Sequence, residues 1–365
     1  MKSVSGTGAH ASRSMVHTRP AVGDVRLRPY ATADEADVLA LLERALGAGP
    51  TGSRSAAFFR WKHVDAHFGP SYILVAESEG RLVGVRPFMR WRLRAGGRTV
   101  AAVRAVDTAT DPGFQGRGVF SALTSQALRD LAGDTDLVFN TPNDKSGPGY
   151  LKLGWQRVGT VPVRIRPKRP MRLLVNRGSM HATVDTRFDA SRVDAMPVAE
   201  VLDREADVDR LLSRIEGRMT AQDAGRWVTL RSVAFLRWRY AAAPDMDYRA
   251  VTAEAGGRLR GMGIFRVQRR GRLLEAVVTE LLIDTTDSDG AASSLLRRIA
   301  RAAPVDHLAC SFAAGSDADR AVRRAGYLPT PGGILLVVNP LSAAVSPDPV
   351  LTRSWGLTLG DLEIF

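Results

Sequence analysis

Two glycines just before an amphipathic segment have the spacing of a phosphate-binding turn. The tetrapeptide Gln115-Gly116-Arg117-Gly118 precedes Val119 to Leu131, in which apolar residues recur at helical spacing. Glycines at a helix N-terminus let backbone amides approach an anion closely, and the positive end of the helix dipole favours phosphate. Such pairs also occur in plain tight turns, so the motif alone leaves an anion site and a simple turn both open.

The net charge of the chain limits the kinds of molecule that it is expected to bind. The chain of 365 residues carries a formal net charge of +13, which would attract nucleic acid, anionic lipid or a phosphorylated cofactor. Its arginines are scattered apart from one denser stretch between Arg164 and Arg172. Aromatic residues do not alternate with these cations as they do in platforms that stack single-stranded bases. A solvated arginine-rich surface is therefore favoured over nucleic-acid binding.

Cysteine content and hydropathy predict a cytoplasmic protein. Cys310 is the only cysteine, so no intrachain disulfide can form, as is usual in a reducing compartment. No apolar run reaches membrane-spanning length. Residues 1–24 are rich in Ser, Gly, His and Arg without an apolar core, which predicts a disordered tail and not a signal peptide.

The elements that would position the glycines alternate between strand and helix. Val25 to Tyr30 predicts a strand, and Thr32 or Asp34 can cap a helix that runs to about Leu46. Further strands are expected at residues 72–77, 82–91 and 99–110 before the glycine segment, and at residues 136–139 after it.

A long-period repeat relates the two halves. Phe58-Phe-Arg-Trp-Lys62 matches Phe235-Leu-Arg-Trp-Arg239 at an offset of 177 residues, and Gly80-Arg-Leu82 matches Gly257-Arg-Leu259 at the same offset. Further on the offset falls to 172, from Gly118 to Gly290. Conserved order with slowly drifting offsets predicts duplication of a whole domain, with chance apolar matches as the alternative.

The copies differ at the residues that could do chemistry. Gln115-Gly-Arg-Gly118 corresponds to Asp287-Ser-Asp-Gly290, whose acidic side chains would repel phosphate, and Tyr150 corresponds to Val322. We therefore expect the second copy to keep the fold without the cofactor.

Composition and repeat together suggest the domain boundaries. We expect a disordered tail at 1–24, a catalytic domain at 25–166, an Arg- and Pro-rich linker at 167–195, a degenerate domain at 196–340 and a C-terminal tail at 341–365. The alternating apolar residues of that last tail favour docking on one domain at least as much as fraying.

Two motifs in the first half resemble the GNAT superfamily of acyl-CoA N-acyltransferases. The first is Pro112-Gly-Phe-Gln-Gly-Arg-Gly118-Val-Phe120, in which Phe120 stands where the family has Gly or Ala. The second is Asn143, Tyr150, Gly154 and Trp155 at the family's spacing. The likeness covers roughly residues 25–166 and extends more faintly to the second copy. Paired GNAT domains with one degenerate member include mycothiol synthase and the Fem-type aminoacyl transferases.

The resemblance implies an α/β (α+β) fold of two tandem GNAT-like domains, each a mixed twisted sheet flanked by helices. The fourth and fifth strands would splay, and acetyl-CoA would lie in that cleft, with no metal involved. Its pantetheine would pair with the fourth strand near residues 107–110, and its pyrophosphate would meet the amides of the glycine segment. The implied cofactor-binding residues are Thr108, Ala109, Thr110, Gln115, Gly116, Arg117, Gly118, Val119, Phe120 and Asn143.

The same resemblance implies a direct attack of an amine on the thioester. Tyr150 matches the position that usually protonates the leaving thiolate, which a phenol can do. An amphipathic core tyrosine is the alternative for Tyr150. Asn143 would anchor its loop or contact the cofactor, although a turn residue is nearly as well supported.

The general base is open. Asp107 is the fourth-strand carboxylate nearest the implied cleft, but a solvated or ion-paired aspartate explains it at least as well as a base. His63 and His67 lie where the family places its acceptor site, and each could be an ordinary surface histidine. Asp144 is a further candidate, with loop capping as its alternative.

The repeated Arg60-Trp61 and Arg237-Trp238 occur in both copies, which indicates a structural role such as an Arg–Trp stack or a domain-interface contact.

The function expected from the resemblance is transfer of an acetyl group from acetyl-CoA to a primary amine on a small molecule, sugar or peptide. Two alternatives remain: Fem-like aminoacyl transfer from charged tRNA, and an acyl-CoA sensor or scaffold without turnover.

Overall fold

A computed structural model describes residues 25–49, 54–144, 146–182, 184–186, 188–218, 225–284, 288–343 and 345–362. The chain forms two mixed sheets flanked by helices, which confirms the expected α/β class and is consistent with two similar domains. The tail expected at 1–24 lies outside the described residues. No helix in the described ranges is long and apolar enough to cross a membrane.

The elements of the first half are, in chain order, β1 (Arg26–Pro29), α1 (Glu35–Leu46), α2 (Ala56–His63), β2 (Tyr72–Ser78), β3 (Arg81–Ala95), β4 (Arg98–Ala105), β5 (Ala109–Thr110), α3 (Val119–Leu131), β6 (Leu137–Asn140), α4 (Gly147–Lys152), β7 (Gln156–Val161), β8 (Arg164–Pro167) and α5 (Pro170–Val175).

Those of the second half are β9 (Val184–Asp185), β10 (Met196–Pro197), α6 (Val198–Leu202), α7 (Glu205–Gly217), β11 (Val228–Thr229), α8 (Val233–Leu236), a π-helical turn (Arg237–Ala241), β12 (Tyr248–Ala255), β13 (Arg258–Arg270), β14 (Leu273–Ile283), α9 (Ser288–Ala302), β15 (His307–Cys310), α10 (Asp317–Arg324), β16 (Leu328–Pro329), β17 (Ile334–Pro340) and α11 (Leu359–Leu362).

The two sheets share one strand pattern. The first runs β1-β2-β3-β4-β6-β17-β7, and the second runs β10-β12-β13-β14-β15-β8-β16. In each, the pair at the centre is parallel, β4 with β6 and β14 with β15, and the other neighbours along the path are antiparallel.

The halves exchange strands: the first contributes β8 to the second sheet, and the second contributes β17 and the short β11, which pairs with β3, to the first sheet. Strand β8 pairs with β15 and β16 in the second sheet, while β17 inserts between β6 and β7 in the first. The domain boundary expected at residue 166 divides the chain by sequence position, but strands from each side of this boundary pair in the other sheet. Neither sheet is complete without the other half.

Close helix packing in both halves relies on glycine. The buried face of α3 includes Val119 and Leu123, which lie over Gly84 of β3. A Cβ on Gly84 would lie 2.8 Å from Val119 Cγ1, so only glycine lets the start of α3 sit this close to the sheet. Gly261, at the offset of 177, lies in the same way under Leu295 of α9.

The repeated tryptophans meet at the interface between the halves. Trp61 Nε1 donates to the carbonyl oxygen of Trp238 at 2.7 Å, and Trp238 Nε1 donates to that of Trp61 at 3.0 Å. Their buried rings stack with centroids 5.3 Å apart. The preceding arginines face outward, where Arg60 pairs with Glu35. Of the two structural roles considered, the domain-interface contact is the one observed.

The C-terminal segment docks between both halves. Trp355, Leu357, Leu359 and Leu362 are buried. Arg104 of β4 donates to the carbonyls of Asp361 and Leu362, and buried Arg239 in the second half donates to that of Gly360 at 3.0 Å.

Replacing Trp238 by Phe should weaken the interface. The change leaves the buried carbonyl of Trp61 without its donor, so the free energy of unfolding should fall by about 1–3 kcal/mol, measured by urea denaturation. Trp155→Phe is the matched control, because its buried Nε1 has no hydrogen-bond partner among the described residues. Equal losses for the two variants would show that ring size, not the reciprocal hydrogen bond, holds the interface.

Candidate active site

The central parallel strands of the first sheet separate into a cleft. Strands β4 and β6 pair only from Ala102↔Leu137 to Arg104↔Phe139. Beyond a break at residues 106–108, β5 still pairs with β3, with Thr110 opposite Gly84, while β6 ends at Asn140. The edge of residues 107–110 that faces β6 is thereby left without a strand partner in the described structure.

The glycine segment forms the mouth of this cleft. Gly116 and Gly118 have φ values of 76° and 83°, a left-handed conformation that favours glycine, and Gly118 is the N-cap of α3. The first amides of a helix have no intrahelical acceptor, so those of α3 are free to bind an anion. Gln115 Nε2 donates to the carbonyl of Thr110 at 3.3 Å and ties the loop to the strand edge. The segment thus fits a phosphate group, and it is solvent-exposed.

Phe120 fills the space between α3 and α4. Its ring packs edge-on against Tyr150 with centroids 5.5 Å apart. A Cβ on Gly149 would lie 3.2 Å from Phe120 Cε1, so the glycine in α4 makes room for the ring that departs from the motif.

Tyr150 lies buried at the inner end of the cleft. Its ring also contacts Trp155, with centroids 4.8 Å apart. Its hydroxyl oxygen accepts a hydrogen bond from Nη1 of Arg86 at 2.8 Å. The same Nη1 donates to Oγ1 of Thr108, so Arg86 bridges α4 and the fourth-strand edge.

Arg86 was not identified from the sequence. It is fully buried on β3, and its guanidinium carbon lies within 4.6–5.2 Å of the ring centroids of Phe88, Phe120 and Tyr150. Its Nε and Nη2 have no hydrogen-bond partner in the described part of the chain. A buried cation with unused donors is costly unless it serves a ligand. In the sequence, Arg86 is a single arginine within the apolar run Leu82 to Met89, and the matching position in the second half is Gly263.

Asp107 is held in a buried ion cluster. Its Oδ2 lies 2.6 Å from Lys62 Nζ and 3.0 Å from His63 Nε2, and its Oδ1 lies 3.9 Å from Arg54. Burial alone would raise the pKa of the Asp107 carboxyl, but the charge of Lys62 and the hydrogen bond from His63 hold it well below its usual range. Burial lowers the pKa of Lys62 and of His63. The structure shows Asp107 in ion pairs, which was the alternative to a general base. The role of Asp107 as a general base stays a prediction.

The other expected residues are spread more widely. His67 packs against Phe68 and Phe235 near the interface, and burial lowers its pKa. Asn143 caps the turn before α4, since its Oδ1 accepts from the amide of Ser146 at 2.9 Å. Asp144 is exposed on the same loop. No group of three or more His, Cys, Asp or Glu side chains in the described ranges could hold a metal ion.

The second half repeats the carboxylate but not the polar cluster around Tyr150. Phe88 pairs with Ala105 and Phe265 with Val278, so Asp107 and Glu280 occupy matching positions two residues further on. Glu280 accepts from Tyr240 at 2.7 Å and from Arg231 at 2.9 Å.

The polar cluster has only apolar counterparts in the second half. The positions of Arg86, Thr108 and Tyr150 are taken there by Gly263, Leu281 and buried Val322. Asp287 and the side chain of Asp289 lie outside what the structure describes. A carboxylate thus occurs at matching positions in both halves, whereas this polar cluster occurs in the first half alone among the described residues.

The comparisons agree with this geometry. Residues 26–158 match the family model described as an acetyltransferase (GNAT) domain. No curated protein matches the chain. The cleft, glycine loop and family match together define an acyltransferase-class domain. That domain, in the first half of the chain, belongs to the GNAT superfamily, as its two motifs indicated.

Solved structures share the fold over most of the chain. A GCN5-related N-acetyltransferase from Anabaena variabilis is 13% identical, with 87% of this chain and 73% of that one covered and a TM-score of 0.61. A probable N-acyltransferase from Enterococcus faecalis is 15% identical, with 87% and 72% covered and a TM-score of 0.59. Saccharomyces cerevisiae N-myristoyltransferase with bound myristoylCoA is 12% identical, with 93% and 90% covered and a TM-score of 0.55. At these identities the likeness is one of fold.

Removal of two charged side chains should affect stability to very different extents. Asp107→Asn leaves Lys62 and His63 without their anion and should lower the free energy of unfolding by about 3–5 kcal/mol. Arg86→Met removes a cation that no carboxylate neutralises and should change stability by less than about 1 kcal/mol. Urea denaturation at neutral pH measures both. A large loss for Arg86→Met would show that the guanidinium stabilises the fold and is not kept for a ligand.

Proposed function

We propose that this protein is an N-acetyltransferase that moves an acetyl group from acetyl-CoA to a primary amine, with its chemistry in the first half. The observation that carries the proposal is the hydrogen-bonded cluster of buried Arg86 and Tyr150 with half-buried Thr108. It lies at the inner end of a cleft whose mouth is a glycine-rich helix N-terminus. The family match of residues 26–158 supports acyl transfer as the reaction class.

The cleft offers complementary groups along its length. The unpaired edge formed by Thr108, Ala109 and Thr110 can hydrogen-bond the amides of pantetheine, as a neighbouring strand would. The amides from Gln115 to Phe120 face the pyrophosphate, with Arg117 beside them, and Asn143 holds the loop on the opposite side. Acetyl-CoA supplies the thioester. The chain orients the thioester, donates a proton to the leaving thiolate and stabilises the charge that forms.

The hydrogen bonding of Tyr150 suits it to donate a proton. Its oxygen accepts the N–H of Arg86, which leaves its own O–H free to point at the sulfur of the departing thiolate. When that proton leaves, the negative charge on the phenol oxygen faces the guanidinium and is stabilised by it. The unused Nη2 and Nε donors of Arg86 can bind an oxygen of the substrate.

Asp107 enters this proposal as a positioning residue. Its carboxylate is already shared by Lys62 and His63, and a matching carboxylate, Glu280, occurs in the half without the polar cluster. Its ion pairs hold the backbone at residue 107 in a left-handed conformation, φ 44°, where the fourth strand turns away from β6.

Tyr150→Phe should lower turnover while it leaves binding intact. Loss of the proton donor should reduce kcat by about a hundredfold or more, with little change in the dissociation constant of acetyl-CoA. Thiol release with a panel of amines gives the rate, and calorimetry gives the affinity. Tyr72→Phe, whose hydroxyl bonds Asp130 on α3, is the matched control. An unchanged rate would remove Tyr150 from the mechanism.

Gly118→Glu should abolish acetyl-CoA binding. The change strains a left-handed backbone position and places a negative charge against the pyrophosphate. Gly97→Glu is the control, because Gly97 has a similar φ of 78° in the exposed hairpin between β3 and β4. If acetyl-CoA binds the Gly118 variant normally, the cofactor site lies elsewhere. Binding to the unaltered protein without turnover on any amine would favour a sensor, and transfer from aminoacyl-tRNA would favour the Fem-like alternative.

A further inference from the structure

The most exposed large apolar side chains lie together on one short helix. Met171, Leu174 and Val175 of α5 are 70%, 63% and 79% exposed, more than any other large apolar residue in the described ranges. Single exposed apolar residues are ordinary, but a cluster on one face marks an interaction surface. The acyltransferase site does not use α5.

The charged side chains that this segment itself carries are all positive, although Arg164 pairs with Asp319 on its inner side. Residues 162–184 contain no Asp or Glu. The cations of this segment are Arg164, Arg166, Lys168, Arg169, Arg172 and Arg177. The β13–β14 hairpin lies beside it, because Arg172 Nη2 donates to the carbonyl of Arg272 at 3.3 Å and the amide of Arg272 donates to Ser179 Oγ at 3.1 Å. That hairpin adds the exposed Arg269 and Arg272.

The inner side of the segment is fastened to the second half. Lys168 Nζ donates to the carbonyls of Ala300 and Ala303, at the end of α9, at 2.5 and 2.9 Å. Arg169 and Arg172 lie 3.4 and 3.5 Å from the buried carboxylate of Asp306. These contacts hold α5 in place with its apolar side chains facing solvent.

We propose that α5 and the adjoining β13–β14 hairpin form a docking surface for an anionic lipid bilayer. Met171, Leu174 and Val175 enter the boundary between headgroups and acyl chains. Arg177, Arg269 and Arg272 contact the phosphates around them. An amphipathic element with aliphatic residues ringed by arginine is the pattern that binds such surfaces.

Other occupants fit the same residues less well. Nucleic acid would satisfy the arginines but offers no apolar phase for three aliphatic side chains. A second copy packed across a two-fold axis would bring two arginine-rich surfaces together. Residues 1–24 carry Lys2, Arg13 and Arg19 against one acid, Asp24, so they do not complement this charge.

The test uses the full chain and vesicle sedimentation. Vesicles of phosphatidylcholine with about 30% phosphatidylglycerol should bind the protein, increasingly so at low salt, whereas pure phosphatidylcholine vesicles should not. The triple variant Met171→Ser, Leu174→Ser, Val175→Ser should lower the partition coefficient about tenfold or more. Leu46→Ser, an exposed apolar residue on α1, is the matched control and should bind like the unaltered protein.

A double substitution tests the contribution of the positive charges separately from that of the apolar side chains. Arg177→Gln with Arg272→Gln should weaken binding several-fold and flatten its salt dependence, without change in the thermal melt because both residues are exposed. Any of three results with vesicles or in sedimentation velocity would overturn the proposal. They are no binding to anionic vesicles at low salt, undiminished binding by the triple serine variant, and conversion of an oligomer to a monomer by that variant in sedimentation velocity. Preference for duplex DNA over vesicles in direct competition would also overturn it.

Discussion

Two indole rings that donate to each other's backbone carbonyl hold the halves of this protein in one arrangement. Trp61 and Trp238 sit at matching positions, so their contact relates each half to the other by the same geometry. The exchanged strands β8 and β17 join the same two halves, because each leaves its own half and pairs in the other sheet. The interface is therefore part of both folds and not a contact between finished domains.

The two halves share a carboxylate at matching positions but differ in the polar groups near it. Both have a carboxylate where the fourth strand turns from the fifth, half-buried Asp107 in one and buried Glu280 in the other. Asp107 contacts Lys62 and His63 of α2, and Glu280 contacts Arg231 and Tyr240. Only the first half places Arg86 beside Tyr150. The Nε and Nη2 donors of Arg86 have no hydrogen-bond partner in the described part of the chain, so they are available to a ligand oxygen.

Much of the local structure follows from local signals. Gly116 and Gly118 predicted the tight turn, and the apolar spacing from Val119 to Leu131 predicted α3. The catalytic role predicted for Tyr150 stays a prediction. Arg86 could not be identified from the sequence, because a single arginine in a strand produces no periodic pattern. Its importance depends on Tyr150, which is 64 residues away in the chain and adjacent in space.

The sequence by itself determined the class of fold, the superfamily of the first half and the internal correspondence, because these rest on periodicity and motif spacing along the chain. The tertiary structure alone decided where strands β8 and β17 pair, how Trp61 meets Trp238 and why the C-terminal segment lies between the halves. It also brought Arg86 into hydrogen-bond contact with Tyr150. Contacts between distant residues depend on packing and on the satisfaction of buried polar groups, which no short stretch of sequence encodes.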